Sequence, residues 1–105
     1  MEMNEFISFT KTESQRLIDY FFDGKKPDNL RYLHLAKLME EVGELSEAVL
    51  ASDSLMRKEK DGSQINLEHE FADVMLVTAI MAQDMGVDLE KALEEKIKKI
   101  KERTY

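Results

Sequence analysis

The chain is 105 residues long, 43% hydrophobic and 35% charged, with one Pro, four Gly and no Cys. A length near the modal domain size with that balance predicts one folded domain over residues 1–105 and excludes a disordered chain. The missing Cys excludes disulfides, a thiolate metal site and a Cys nucleophile, and a formal charge of −7 at pH 7 argues against a nucleic-acid binder, which needs a basic face.

No basic-then-apolar segment opens the sequence and no apolar run is long enough to span a bilayer, so a cytoplasmic protein with no membrane partner is expected. The charge is unevenly spread, with Glu dominating the middle and Lys and Arg collecting near the C-terminus. Net acidity keeps such a chain soluble. It leaves room for a small phosphorylated substrate if bound Mg²⁺ and a few lysines reverse the local potential.

Phe6, Ile7, Phe9, Leu17, Ile18, Phe21 and Phe22 recur with helical spacing, which predicts a first helix from about Asn4 to Phe22 with these side chains in the core. Gly24, followed by Lys25, Lys26 and Pro27, is a stop and turn. Asp28 or Asn29 can cap a long second helix that runs to about Ser52. Leu35, Leu38, Val42, Leu45 and Val49 form a stripe spaced three and four apart, a seam for a partner helix that Glu41 and Glu44 flank. Glu40 and Glu47 turn further out, as solvated surface. Gly43 costs a helix interior roughly 1 kcal/mol against Ala, which predicts close approach by another backbone or a ligand. Lys37, one turn before Glu41, suits a salt bridge or a phosphate contact.

Residues 52–66 are polar, with turn chemistry at Asp61-Gly62, and read as a connection. Asn66 can cap a third helix ending at Gly86. From Phe71 to Ala82 only Asp73 and Thr78 interrupt an apolar run, so this helix is expected to be buried on more than one side, partly in an oligomer interface. Asp88 starts the last helix, with Val87 as a staple. Leu89, Ala92, Leu93, Ile97 and Ile100 supply its apolar stripe, and Lys96, Lys98, Lys99, Lys101 and Arg103 crowd its end, where cations complement the helix dipole or bind phosphate. The whole predicts an all-α protein: a four-helix bundle-like protomer with two long central helices, assembling into a helical oligomer.

Two carboxylate pairs interrupt sequence that otherwise reads as core: Glu41 with Glu44, and Glu70 with Asp73. Residues at i and i+3 share a helix face. If the two helices pack side by side the four carboxylates converge, and they repel unless a hard cation neutralises them. Neither His34 nor His69 sits in the Glu-x-x-His pattern of di-iron bundles. An all-oxygen set favours Mg²⁺, with Mn²⁺ as a substitute. Mg²⁺ usually pairs carboxylates with substrate phosphates, which points to a phosphorylated small molecule.

Glu40-Glu41-x-x-Glu44, a spacer, then Glu70-x-x-Asp73 resembles the signature of the MazG-like, all-α nucleoside triphosphate pyrophosphohydrolases. The surrounding text, Lys37-Leu-Met-Glu-Glu-Val-Gly-Glu-Leu-Ser-Glu-Ala, Phe71-Ala-Asp-Val-Met-Leu and Gly86-Val-Asp-Leu-Glu-Lys-Ala-Leu-Glu-Glu-Lys, is similar as well. The resemblance covers roughly residues 33–103. It implies Mg²⁺-dependent hydrolysis of a nucleoside triphosphate between the α and β phosphates, in the manner of a nucleotide-pool house-cleaning enzyme, by a dimer or tetramer. Under it Glu41, Glu44, Glu70 and Asp73 would hold the metal, Glu40 and Glu41 would serve catalysis at a further metal or the attacking water, and Lys37, Lys96, Lys99 and Arg103 would contact substrate. Many relatives place an Asn in the final helix where this chain has Ile97 and Ile100, so base and sugar selection is open. The alternatives are a phosphoribosyl-ATP pyrophosphohydrolase, a non-catalytic helical module that binds nucleotides or a partner chain, and a plain helical bundle with no ligand.

Overall fold

The computed structural model describes residues 1–52 and 66–105. Among these the chain is all-α, with four helices and no strand: α1 (Met3–Phe22), α2 (Leu30–Ser52), α3 (Leu67–Asp84) and α4 (Leu89–Lys101). The predicted turn at Asp61-Gly62 lies outside the described residues. No helix of the described residues is long and apolar enough to cross a membrane.

The helix ends follow local chemistry. At the end of α1, Asp23 takes a left-handed conformation with φ 52° and Gly24 follows with φ 81°. The Gly24 N–H then donates to the Ile18 carbonyl, which closes the last turn. The Asn66 side chain accepts from the His69 N–H at 3.0 Å, and Asp88 accepts from the Lys91 N–H at 3.1 Å, so both predicted caps satisfy an orphan donor. Gly86, with φ 73°, lets the Val87 N–H reach back to the Ala82 carbonyl and stops α3.

The chain divides into two compact units. One comprises residues 1–31 and 79–105 and holds α1, α4 and the end of α3. Its buried residues are Ile18, Leu30, Ala79 and Ile80, together with Thr10 and Ser14. The two hydroxyls are not left unpaired: Thr10 donates to the Ile7 carbonyl at 2.7 Å, and Ser14 hydrogen-bonds the Asp84 carboxylate. Lys26 adds a 2.7 Å bond to the Asp84 carbonyl, placing a cation at the C-terminal end of α3. The expectation that all the α1 aromatics are core is corrected here. Phe6 and Phe22 are half-buried, but Phe9 and Phe21 are exposed, because the inner line of α1 runs four apart through Thr10, Ser14 and Ile18. No residue of α4 is buried, and its stripe residues Leu93, Ile97 and Ile100 all face solvent in the single chain.

The second unit, residues 32–78, holds most of α2 and the first two-thirds of α3. At 3.6 residues per turn, His34, Leu38, Glu41, Leu45 and Ala48 fall within about 80° of one another. These are the inward positions, Glu41 and Ala48 buried and the others half-buried. The predicted seam therefore splits. Leu38 and Leu45 turn inward, whereas Leu35, Val42 and Val49 stay exposed, and Glu41 lies within the inner face and does not flank it. Among the described residues nothing lies within 4 Å of a Cβ added at Gly43, so no neighbouring backbone of these residues approaches it. On α3, Asp73, Val74, Leu76 and Val77 are half-buried, while Phe71 and Met75 are exposed. Among the described residues this part of α3 is thus covered on one side only.

Candidate metal centre

α2 and α3 each contribute one side of a carboxylate cluster, because the i, i+3 spacing puts Glu41 with Glu44 and Glu70 with Asp73 on single helix faces. Two overlapping groups result: Glu40, Glu41 and Glu44 in one, and Glu41, Glu70 and Asp73 in the other, with ligand atoms within 4.8 Å of each other in each group. Glu41 belongs to both. It is also the most buried, at 7% exposure, whereas Glu70 and Asp73 are half-buried and Glu40 and Glu44 are exposed. Both groups consist of carboxylates alone, without His34 or His69.

The electrostatics are those of a site short of positive charge. Glu41 Oε2 and Glu70 Oε2 are both buried with no hydrogen-bond partner among the described residues, an arrangement that costs about 1–3 kcal/mol per group when nothing compensates it. The Glu41 charge, with burial and then Glu70 and Glu40 adding to it, pushes the Glu44 carboxyl above its ordinary value. Lys37 partly offsets this. Its ammonium lies 3.1 Å from Glu41 Oε1 and 3.4 Å from Glu40 Oε1, and the hydrogen bond to Glu41 is the main cause that raises its pKa. Of the two roles expected for Lys37, the salt bridge is the one observed. Hard oxygen donors, two of them buried and unpaired, fit a divalent cation such as Mg²⁺.

The other predicted residues divide. Glu40, expected as plain surface on α2, joins the first group; Glu47, read the same way, is half-buried. Lys96 and Lys99 are exposed on α4 and Arg103 is exposed just beyond it, and all three belong to the unit of α1 and α4. That unit also has an open groove of about 370 Å³ lined by residues such as Thr10, Lys11, Gln83 and Glu90, and none of the clustered carboxylates lines it. Reading residue by residue missed the Ser14–Asp84 bond, for which a lone Ser in an amphipathic helix gives no signal.

A helical pair carrying Glu-x-x-Glu opposite Glu-x-x-Asp defines the class. The model of the MazG nucleotide pyrophosphohydrolase domain matches residues 32–105, and the chain belongs to that family. No curated protein matches the chain, and no solved structure does. The match starts at the unit that carries the carboxylates and takes in α4, leaving α1 outside it.

Proposed function

We propose that the protein hydrolyses nucleoside triphosphates between the α and β phosphates in a reaction dependent on Mg²⁺. The observation that carries this reading is Glu41, buried, common to both carboxylate groups, and paired with Glu70 in presenting an unpartnered oxygen. Glu41, Glu44, Glu70 and Asp73 would hold the metal, which supplies charge neutralisation for the phosphates and acidifies a bound water. Glu40, exposed in the same cluster, would accept a proton from a water attacking the α phosphorus. The bond between that phosphorus and the bridging oxygen breaks, and pyrophosphate leaves with the electron pair. Lys37, beside the carboxylates, would serve as a contact to the phosphates, where a cation favours the charge that develops.

Self-association belongs to the same reading. Tyr32, Leu35, Met39, Val42, Ser46 and Val49 succeed one another at spacings of three and four along α2, and all are exposed. A helix supports that strict alternation as a coiled-coil seam. Glu40, Glu44 and Glu47 project from the opposite flank of α2, so a second copy seated on the stripe leaves the carboxylate side open.

Hydrolysis in water enriched in oxygen-18 tests the bond assignment. Label in the nucleoside monophosphate and none in pyrophosphate is the expected result. Label in pyrophosphate would place the attack on the β phosphorus and overturn the assignment.

A further inference from the structure

The ammonium of Lys37 sits on Glu41 Oε1 at 3.1 Å and on Glu40 Oε1 at 3.4 Å, at the junction of the two carboxylate groups. We infer that Lys37 is a tethered counter-ion that competes with the divalent cation for Glu41, and so sets the affinity of the centre. This rests on the reading of the cluster as a metal centre.

Three observations carry it. The pair is poorly arranged as a helix-stabilising bridge: Lys precedes Glu by four residues, the weaker order, and the lysine is half-exposed. Its contribution to the fold is therefore small, while its contact is with the carboxylate that both groups share. Glu41 is the carboxylate that both groups need, and the oxygen Lys37 holds belongs to the same carboxylate as the buried, unpartnered Oε2. A cation that also used Glu41 Oε1 would meet the ammonium's positive charge at that oxygen, which favours displacing the lysine. The lysine stem is long and flexible, and the ammonium is a compact point charge with three donors. Once displaced it remains within a side-chain length of the cluster, free to meet an anion that the metal holds. One residue then does two things in sequence, first neutralising Glu41 and then contacting phosphate.

The test is isothermal titration of Mg²⁺, and separately Mn²⁺, into the full chain without nucleotide, for wild type, Lys37→Met and Lys37→Arg. Methionine keeps the length and removes the charge; arginine keeps the charge. Lys37→Met should bind the ion about tenfold more tightly, as expected when a unit charge close to a divalent ion is removed in a partly screened site. Lys37→Arg should bind no more tightly than wild type. Thermal unfolding in EDTA checks that both variants fold, with Lys37→Gln as a replacement if methionine at this exposed position causes aggregation. Wild-type binding with equal or weaker binding by the neutral variant overturns the competition while leaving the metal centre intact. No binding by any variant overturns the metal centre, and the competition with it.

Discussion

Glu41 on α2 and Glu70 on α3 have carboxylate oxygens within 4.8 Å of one another, and each has a buried oxygen, Oε2, with no hydrogen-bond partner among the described residues. Two like charges so placed destabilise the fold that brings them together. A chain that tolerates this at the centre of its helix pair has the electrostatics of a cation site.

The first prediction follows from that strain. Glu41→Gln removes one charge, and its amide can donate to Glu70. The variant should be more stable than wild type by about 1 kcal/mol when both are unfolded by urea in EDTA. In Mg²⁺ the order should reverse, because wild type gains binding energy that the variant lacks. Turnover should fall by on the order of 100-fold or more. A variant no more stable in EDTA would mean that the buried oxygens are satisfied.

Glu44 gives a pH dependence with a definite sign. Its folded-state pKa is raised above the ordinary 4.5, chiefly by the Glu41 charge. The folded chain therefore holds this proton more tightly than the unfolded chain. Between the ordinary and the raised value, stability attributable to Glu44 falls as pH rises, and above the raised value the penalty is complete. Glu44→Gln should consequently be more stable than wild type at pH 7 in EDTA, and the gap should narrow as the pH drops toward 4.5. Urea midpoints at several pH values measure the gap; a gap that widens on acidification contradicts the assignment. Mg²⁺ affinity of wild type should weaken over the same range as Glu44 protonates.

The exposed stripe of α2 predicts the oligomeric state. Met39 is 65% exposed at its centre, and Met39→Glu puts a charge where a second helix would seat. Burying an unpaired charge costs several kcal/mol, so self-association should weaken by a factor of about 100 or more. Sedimentation equilibrium should find wild type at twice the 12.2 kDa chain mass or a higher multiple, and the variant at the chain mass. Monomeric wild type at tens of micromolar would remove the seam.

Two glycines predict opposite signs. Gly86, at φ 73°, ends α3 in a conformation that a Cβ disfavours, and Gly86→Ala should cost about 1–2 kcal/mol. Gly43 lies inside α2 with open space around it, and Gly43→Ala should stabilise the helix by up to about 1 kcal/mol. Urea unfolding of both variants measures the two shifts. A loss at Gly43 would reveal a close neighbour from another copy or a ligand.

How far the sequence could be read depended on the range of the interaction. The caps at Asn66 and Asp88 and the stops at Gly24 and Gly86 are local, and they appear where the residues suggest. The carboxylate pairs were equally legible, since i, i+3 spacing needs only a helix. What failed was the choice of face. A row of apolar residues spaced three and four apart on α2 fits two neighbouring stripes, and only the packing of α3 decides that Leu38 and Leu45 turn in while Leu35 and Val42 turn out. The same ambiguity on α1 put Phe9 in the expected core, where Thr10 and Ser14 stand with their hydroxyls satisfied. The burial of Glu41 ahead of Asp73 was hidden for a related reason, because Asp73 stands out in an apolar run and Glu41 does not.

The most direct measurement is pyrophosphate release from a panel of ribo- and deoxynucleoside triphosphates, in Mg²⁺ and in EDTA, by wild type and by Asp73→Asn. The account predicts pyrophosphate and nucleoside monophosphate from at least one substrate in Mg²⁺, no orthophosphate, none of either product in EDTA, and loss of turnover in a variant that melts as wild type does. Release that survives EDTA, or full activity in Asp73→Asn, would contradict it.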